Sequence, residues 1–226
     1  MKLLILVGVR LGTDPHRLVL VGALIGALVA LIYMGLARLF PLPVSAVLGV
    51  AAWACLTGGL HLDGLADSFD GLLNSSSSER RLEIMRDPRL GTFGALGLIL
   101  TMILKISILT ALPINLTLLS LPLAASTARW FLLWAARQPK ARPDGLGAAF
   151  KPGLIWMGMF MSAALPLGLA VLSGWRGLAA LVLGCVCAAM IFRWARMRLG
   201  GLTGDVFGLM VEMVEVVILL VFVVHL

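Results

Sequence analysis

Residues 42–74 read LPVSAVLGVAAWACLTGGLHLDGLADSFDGLLN. The first part, 42–60, carries no charge and matches the roughly 20 apolar residues that a helix needs to cross a bilayer. Three aspartates follow directly after this apolar run. The stretch therefore predicts a membrane-spanning helix that leads into an acidic helix at the membrane surface.

The whole chain shares this apolar character. Its 226 residues are 61% apolar and 13% charged, and the mean hydropathy is +1.05. Because soluble domains carry about 25% charged residues, this composition excludes an ordinary water-soluble protein. We expect one all-α transmembrane domain over residues 1–226, a polytopic bundle of about seven membrane helices. The candidate spans are 18–37, 42–60, 92–111, 116–135, 153–173, 177–192 and 206–225.

The charges indicate how the bundle is oriented. If successive loops alternate between the two sides of the membrane, 14 Lys and Arg residues fall on one side and only Arg38 and Arg176 on the other. The positive-inside rule places the cation-rich side in the cytoplasm. None of the 11 acidic residues lies in an outer loop. The net charge of +7 is thus an orientation signal, and we expect the chemistry at the cytoplasmic face.

The three aspartates of the opening stretch have helical spacing. Asp63, Asp67 and Asp70 occupy positions i, i+4 and i+7 and share one face of a helix. Like charges on one face repel each other, so the arrangement favours a shared cation. Mg²⁺ takes one or two carboxylates together with water and substrate phosphates, and nearby Gly59 and Gly64 would let a diphosphate approach the backbone. We predict a Mg²⁺-diphosphate site; the alternative is a solvated acidic helix face.

A second set of acids lies in the last candidate span. Asp205, Glu212 and Glu215 again share one helix face. Carboxylates in an apolar span are unfavourable unless they face a cavity, a cation or a metal. We interpret them as functional groups. The alternative is that they form ion pairs with Arg129 or Lys105 and only join helices.

Two basic segments are candidates for phosphate binding. Arg86, Asp87 and Arg89 lie where a proline and a glycine interrupt a charged helix, so a turn presents them. Arginines presented in this way suit phosphate groups. Arg142 lies in a second such segment, PKARPDGLGAAFKPG at 139–153. For this loop, the alternative is a positively charged membrane anchor.

His61 is the one histidine close to the aspartates in sequence. On a continuous helix it would point about 160° away from Asp63. Gly58 and Gly59 can interrupt that helix, so the angle is not fixed. The residues alone leave open whether His61 carries protons or only forms a hydrogen bond near the site.

Four segments resemble the cobalamin synthase family. They are TGGLHLDGLADSFDG at 57–71, RRLEIMRDPRLGTFG at 80–94, ARPDGLG at 141–147, and GGLTGDVFG with the two following glutamates at 200–215. Their order and spacing agree with the family from about residue 14 to the end, whereas 1–13 does not look like the family's usual opening. The resemblance implies a Mg²⁺-dependent enzyme of bacterial or archaeal cytoplasmic membranes. Such an enzyme joins adenosylcobinamide-GDP to α-ribazole or its 5′-phosphate, releases GMP and forms adenosylcobalamin or its phosphate.

For the reaction that the resemblance implies, the residue pattern predicts a role for each candidate residue. The metal ligands would be Asp63, Asp67, Asp70 and Asp205, the phosphate-binding groups Gly59, Gly64, Arg86, Asp87, Arg89 and Arg142, and the catalytic residues Asp63, Asp67, His61 and Glu212. His61 or Glu212 would act as the base. The implied partners are the two small substrates and the lipid bilayer, with no nucleic acid, and the chains could associate as a homo-oligomer.

Two other readings compete with this one. CDP-alcohol transferases also use clustered aspartates and Mg²⁺, but they usually show D-G-x-x-A-R, and here Asp63-Gly64-Leu65-Ala66 is followed by Asp67, not by arginine. Prenyl transferases are a related possibility. A cation-coupled transporter could use Glu212, Glu215, Lys105 and Arg129 as a path, but the outer loops carry no acids and only two cations.

Overall fold

The structure is a computed structural model that describes residues 15–142 and 156–224. These ranges contain ten α-helices and no strand. In chain order, the helices are α1 (Pro15–Leu36), α2 (Leu42–Thr57), α3 (Leu60–Leu73), α4 (Ser78–Ile84), α5 (Thr92–Ala111), α6 (Thr117–Ala135), α7 (Trp156–Ser162), α8 (Ala164–Leu172), α9 (Gly174–Leu199) and α10 (Gly204–Val223). The predictions for 1–13 and for most of the 139–153 loop lie outside the described residues.

The predicted all-α membrane bundle is confirmed. Among the described residues, five segments are long and apolar enough to cross a membrane: α1, α5, α9, α10, and α6 together with the short 3₁₀ turn before it. Helices α2 and α3 add a sixth only if the two are counted as one bent span. The described residues thus contain five or six candidate spans, fewer than the predicted number of about seven. The predicted span 153–173 is divided into α7 and α8, whereas 177–192 belongs to α9, which has 26 residues and is the longest helix.

Two glycines produce the bend between α2 and α3. Gly58 and Gly59 have φ angles of 65° and 69°, in the left-handed region that side chains other than glycine rarely adopt. Gly58 ends α2, Gly59 precedes α3, and the two helices are bent by 92°. The acidic helix α3 therefore turns away from the apolar α2 instead of continuing it.

Small residues allow the helices of the bundle to pack closely. A side chain at Gly26 of α1 would collide with the carbonyl of Leu121 in α6, and one at Gly22 would come within 2.6 Å of the Ala125 carbonyl. Such close backbone approach is the usual way in which membrane helices associate. Helix α10 is largely enclosed by its neighbours, whereas α5 and α9 each leave a broad apolar face exposed. We expect these exposed faces to contact lipid.

Candidate functional site

Asp205 of the second predicted cluster meets the aspartates of the first cluster at one end of the bundle. Helix α3 carries Asp63, which is exposed, and Asp67 and Asp70, which are half-buried. Asp205 lies in the first turn of α10. The carboxylate of Asp67 interacts electrostatically with those of Asp205, Asp63 and Asp70. The structure thus adds Asp205 to the acidic face that the spacing predicts.

Glycines make this meeting possible. A side chain at Gly64 of α3 would come within 2.8 Å of the Asp205 carbonyl, and one at Gly208 of α10 within 2.8 Å of the His61 carbonyl. The backbones of α3 and α10 are therefore in direct contact, with no side chain between them. In this structure, Gly64 serves helix packing. The idea that Gly59 and Gly64 let a diphosphate approach the backbone stays a prediction.

Asp70 differs from the other two aspartates of α3 because its carboxylate is already engaged. Its Oδ2 accepts a hydrogen bond from the Gly91 amide and its Oδ1 accepts one from the Gly94 amide, both at 2.8 Å. These amides belong to the N-terminus of α5, whose first N–H groups have no partner within the helix. Asp70 therefore caps α5 from a neighbouring helix. This contact favours a structural role over the predicted metal coordination.

The capping role can be tested with Asp70→Asn. An asparagine side chain offers one acceptor oxygen in place of two, so one of the α5 amides loses its partner. We expect a loss of stability of about 1 kcal/mol, which is roughly 2–4 °C in Tm. Thermal unfolding of the detergent-solubilised protein would measure this shift. An unchanged Tm combined with a raised Mg²⁺ requirement would instead identify Asp70 as a metal ligand.

Arg142 is a cation that lies beside the acids of the site. Its Nη2 donates to the Leu82 carbonyl of α4 at 2.6 Å, and its Nη1 lies 3.7 Å from Asp205 Oδ2. The preceding segment is fixed because the Ala141 amide donates to the Leu202 carbonyl at 3.0 Å. Arg142 thus links α4 to the start of α10, next to the carboxylates. This is a position from which it could contact a phosphate group.

The predicted turn between α4 and α5 is also present. Arg89 Nη2 and Asp87 Oδ2 form an exposed ion pair at 2.6 Å, and the hydrogen bonds from Arg89 lower the pKa of Asp87 to about 2. Arg86 is exposed on the same turn. The turn leads to Gly91, whose amide binds Asp70, so these charges lie at the same end of the bundle as the acids.

Glu212, one of the two candidate bases, belongs to a buried ion-pair network, and His61, the other, lies close to it. Lys105 Nζ donates to Glu212 Oε2 at 2.6 Å and to Glu215 Oε2 at 2.8 Å, and Arg129 pairs with Glu215. His61 interacts electrostatically with Arg129, Glu215 and Lys105. For Glu212 and Glu215 this arrangement favours the alternative of ion pairs that join helices. The role of His61 or Glu212 as a base stays a prediction.

Two arginines from α4 and α9 bind carbonyl groups at the C-terminal end of α3, a role that the sequence did not indicate. Arg81 Nε donates to the Asn74 carbonyl at 3.0 Å, and Arg198 Nη2 donates to the carbonyls of Leu72 at 2.9 Å and Asn74 at 3.1 Å. They satisfy the last carbonyl groups of the helix that carries the acids, which ends without a glycine cap. The missing cap is a signal for an external donor, but it does not say which cation supplies it.

The residues present fit a metal that shares its coordination with the substrate. Within 15–142 and 156–224, no three or more His, Cys, Asp or Glu side chains gather as a complete metal site. Mg²⁺, however, is usually bound through one or two carboxylates and completes its shell with water and phosphate oxygens. Asp63 and Asp67 lie one turn apart on α3 and match that requirement.

Comparisons with known proteins identify the family of this chain. The family model described as Cobalamin-5-phosphate synthase matches residues 10–223. A relative from Roseiflexus sp. (strain RS-1), named adenosylcobinamide-GDP ribazoletransferase, is 41% identical over 201 residues, which is 88% of this chain and 74% of the relative. Relatives of the same name from Escherichia coli O17:K52:H18 and Shigella boydii serotype 4 are 39% and 38% identical, over 89% of this chain and 83% of each relative. No solved structure matches. The chain therefore belongs to the cobalamin-5-phosphate synthase family.

Proposed function

We propose that the chain is a membrane-embedded adenosylcobinamide-GDP ribazoletransferase. It transfers the adenosylcobinamide phosphate of adenosylcobinamide-GDP to α-ribazole or α-ribazole 5′-phosphate and releases GMP, which completes the cobalamin skeleton. The observation that carries this proposal is the meeting of Asp67 and Asp205 beside Arg142, at one end of a membrane bundle of this family.

Asp63 and Asp67 would hold the Mg²⁺ that the reaction uses, with Asp205 facing them across the site. Acids crowded on one face favour a divalent cation, and among the described residues Arg142 forms an ion pair with Asp205. Mg²⁺ bound there supplies charge compensation for the substrate diphosphate, which is where phosphoryl transfer gains most of its rate.

The bond changes define what the protein groups must do. The 3′-hydroxyl oxygen of the ribazole forms a bond to the phosphorus next to the cobinamide. The bond from that phosphorus to the bridging oxygen breaks, and GMP leaves with this oxygen. Arg142, which Leu82 and Asp205 hold in place, is positioned to bind a non-bridging oxygen, while Arg86 and Arg89 on the exposed turn would meet the departing nucleotide. The hydroxyl proton passes to a base, for which His61 and Glu212 remain the candidates.

The site would face the cytoplasm. The cations at this end of the bundle, among them Arg86, Arg142 and Arg198, support that orientation by the positive-inside rule. Association of several copies into a homo-oligomer stays a prediction.

A direct assay tests the proposal. Inside-out vesicles that contain the protein are given Mg²⁺, adenosylcobinamide-GDP and α-ribazole, and chromatography follows GMP and adenosylcobalamin. We expect equal amounts of both products, and none from right-side-out vesicles. No product from folded protein in either orientation would overturn the enzyme assignment. Product from right-side-out vesicles alone would overturn the orientation.

A further inference from the structure

A groove of about 560 Å³ opens at the end of α9 that also carries Arg198. The groove is lined by three apolar residues and three polar ones: Ala189, Phe192, Met197, Gln138, Arg193 and Arg196. Residues 189, 192, 193 and 196 follow helical spacing, so one face of α9 forms a wall. Gln138, just beyond α6, lies opposite, and Arg196 Nη1 donates to its Oε1 at 3.3 Å. The described lining contains two cations and no acid.

This groove is separate from the acidic site. Arg198 points toward α3, where it donates to the carbonyls of Leu72 and Asn74. On a helix, Arg196 is rotated by about 160° from Arg198, so it faces away from the helix that carries the aspartates. Arg193 and Arg196 are also both exposed, and the whole of α9 contains no acidic residue. Among the described residues that line the groove, neither arginine has a carboxylate partner.

The groove lies at the end of a lipid-facing stripe. Val182, Val186 and Met190 are 61%, 49% and 66% exposed and follow each other at intervals of four residues, so they line one face of α9. Arg193 continues this stripe one turn later, where the apolar part of α9 gives way to Arg193, Arg196 and Arg198. An acyl chain that lies along these apolar side chains would bring its headgroup to Arg193 and Arg196.

We propose that this groove binds an anionic phospholipid, with the headgroup phosphate at Arg193 and Arg196 and one acyl chain along Val186 and Met190. The occupant is argued from charge complementarity, because basic pockets beside membrane helices attract anionic headgroups. An apolar wall that leads directly to the cations distinguishes a lipid site from a site for a free anion. The proposal does not depend on the transferase activity.

Native mass spectrometry of the full chain in a neutral detergent tests this site. After removal of bound lipid, the protein is titrated with dioleoyl phosphatidylglycerol and with dioleoyl phosphatidylcholine. We expect tighter binding of phosphatidylglycerol. Each arginine near a headgroup contributes about a fivefold gain in affinity, so Arg193→Gln/Arg196→Gln should weaken phosphatidylglycerol binding roughly 30-fold. The matched control is Arg38→Gln, which removes an exposed cation at the opposite end of the bundle and should change nothing.

Three results would overturn the proposal. The first is that the double variant binds phosphatidylglycerol as tightly as the original chain does. The second is that the original chain binds the two lipids equally. The third is that millimolar inorganic phosphate or GMP displaces phosphatidylglycerol, which would indicate a free-anion site. Arg193→Lys/Arg196→Lys keeps both charges and should keep most of the affinity. A Tm equal to that of the original chain shows that each variant is folded.

Discussion

Asp67→Asn is expected to lower the rate of ribazole transfer roughly 10²–10³-fold, the usual effect of losing one preorganised group that compensates developing charge. Asp67 is half-buried and lies among Asp63, Asp70 and Asp205. Because these carboxylates repel one another, a bound cation would stabilise the arrangement. Asparagine keeps the shape and removes the charge. The rate is measured from GMP release in membranes that contain equal amounts of each protein.

A Mg²⁺ titration separates metal binding from a general loss of activity. With Asp67→Asn or Asp63→Asn, the Mg²⁺ concentration for half-maximal transfer should rise, because each variant removes one of the two proposed ligands. Mg²⁺-dependent stabilisation against heat should decrease in parallel. Glu79→Gln is the matched control, since it makes the same chemical change at an exposed position of α4 and should leave both quantities unaltered. Near-normal transfer by both aspartate variants at saturating Mg²⁺ would show that the metal assignment is wrong.

The sequence predicts only part of the acidic site. Spacing alone places Asp63, Asp67 and Asp70 on one helix face, and the structure has them there. The approach of Asp205 depends on the contact between Gly64 and Gly208, which is a property of two helices that are distant in the chain. The cap that Asp70 forms on α5 is likewise a tertiary contact. Helical periodicity predicts which side chains share a face, but not which backbone groups that face will meet.

The number of spans shows a similar limit. Hydropathy ends the predicted span 177–192 before Arg193, yet α9 continues to Leu199 because arginines at a membrane boundary can extend into water while the backbone stays helical. The predicted span 153–173 shows the opposite difference, because the helix is interrupted within the apolar run. Pro166 has no N–H to donate to the Ser162 carbonyl, and the helix is interrupted at Ala163 between α7 and α8. An apolar run thus fixes a length in the membrane but not the continuity of the helix.

The other large effect is expected at the buried network, from Lys105→Met. Lys105 is 3% exposed and its ammonium binds both Glu212 and Glu215, with the Trp53 ring 4.4 Å away. Methionine would leave the two carboxylates with Arg129 as their remaining charged partner. Removing one partner of a buried charge pair typically costs about 3–5 kcal/mol, which corresponds to roughly 6–20 °C in Tm. Thermal unfolding in detergent measures the shift.

The double variant Lys105→Met/Glu212→Gln distinguishes a paired network from independent contributions. It removes one cation and one anion together and leaves Arg129 paired with Glu215, so it should recover more than half of the Tm lost by Lys105→Met. Arg38→Met, the same kind of change at an exposed position, should stay within about 0.5 kcal/mol of the original chain. If the Tm losses caused by Lys105→Met and Glu212→Gln are additive, the contribution of Glu212 to stability does not depend on Lys105. If they compensate, the network is what holds α10, and with it Asp205, against α5 and α6.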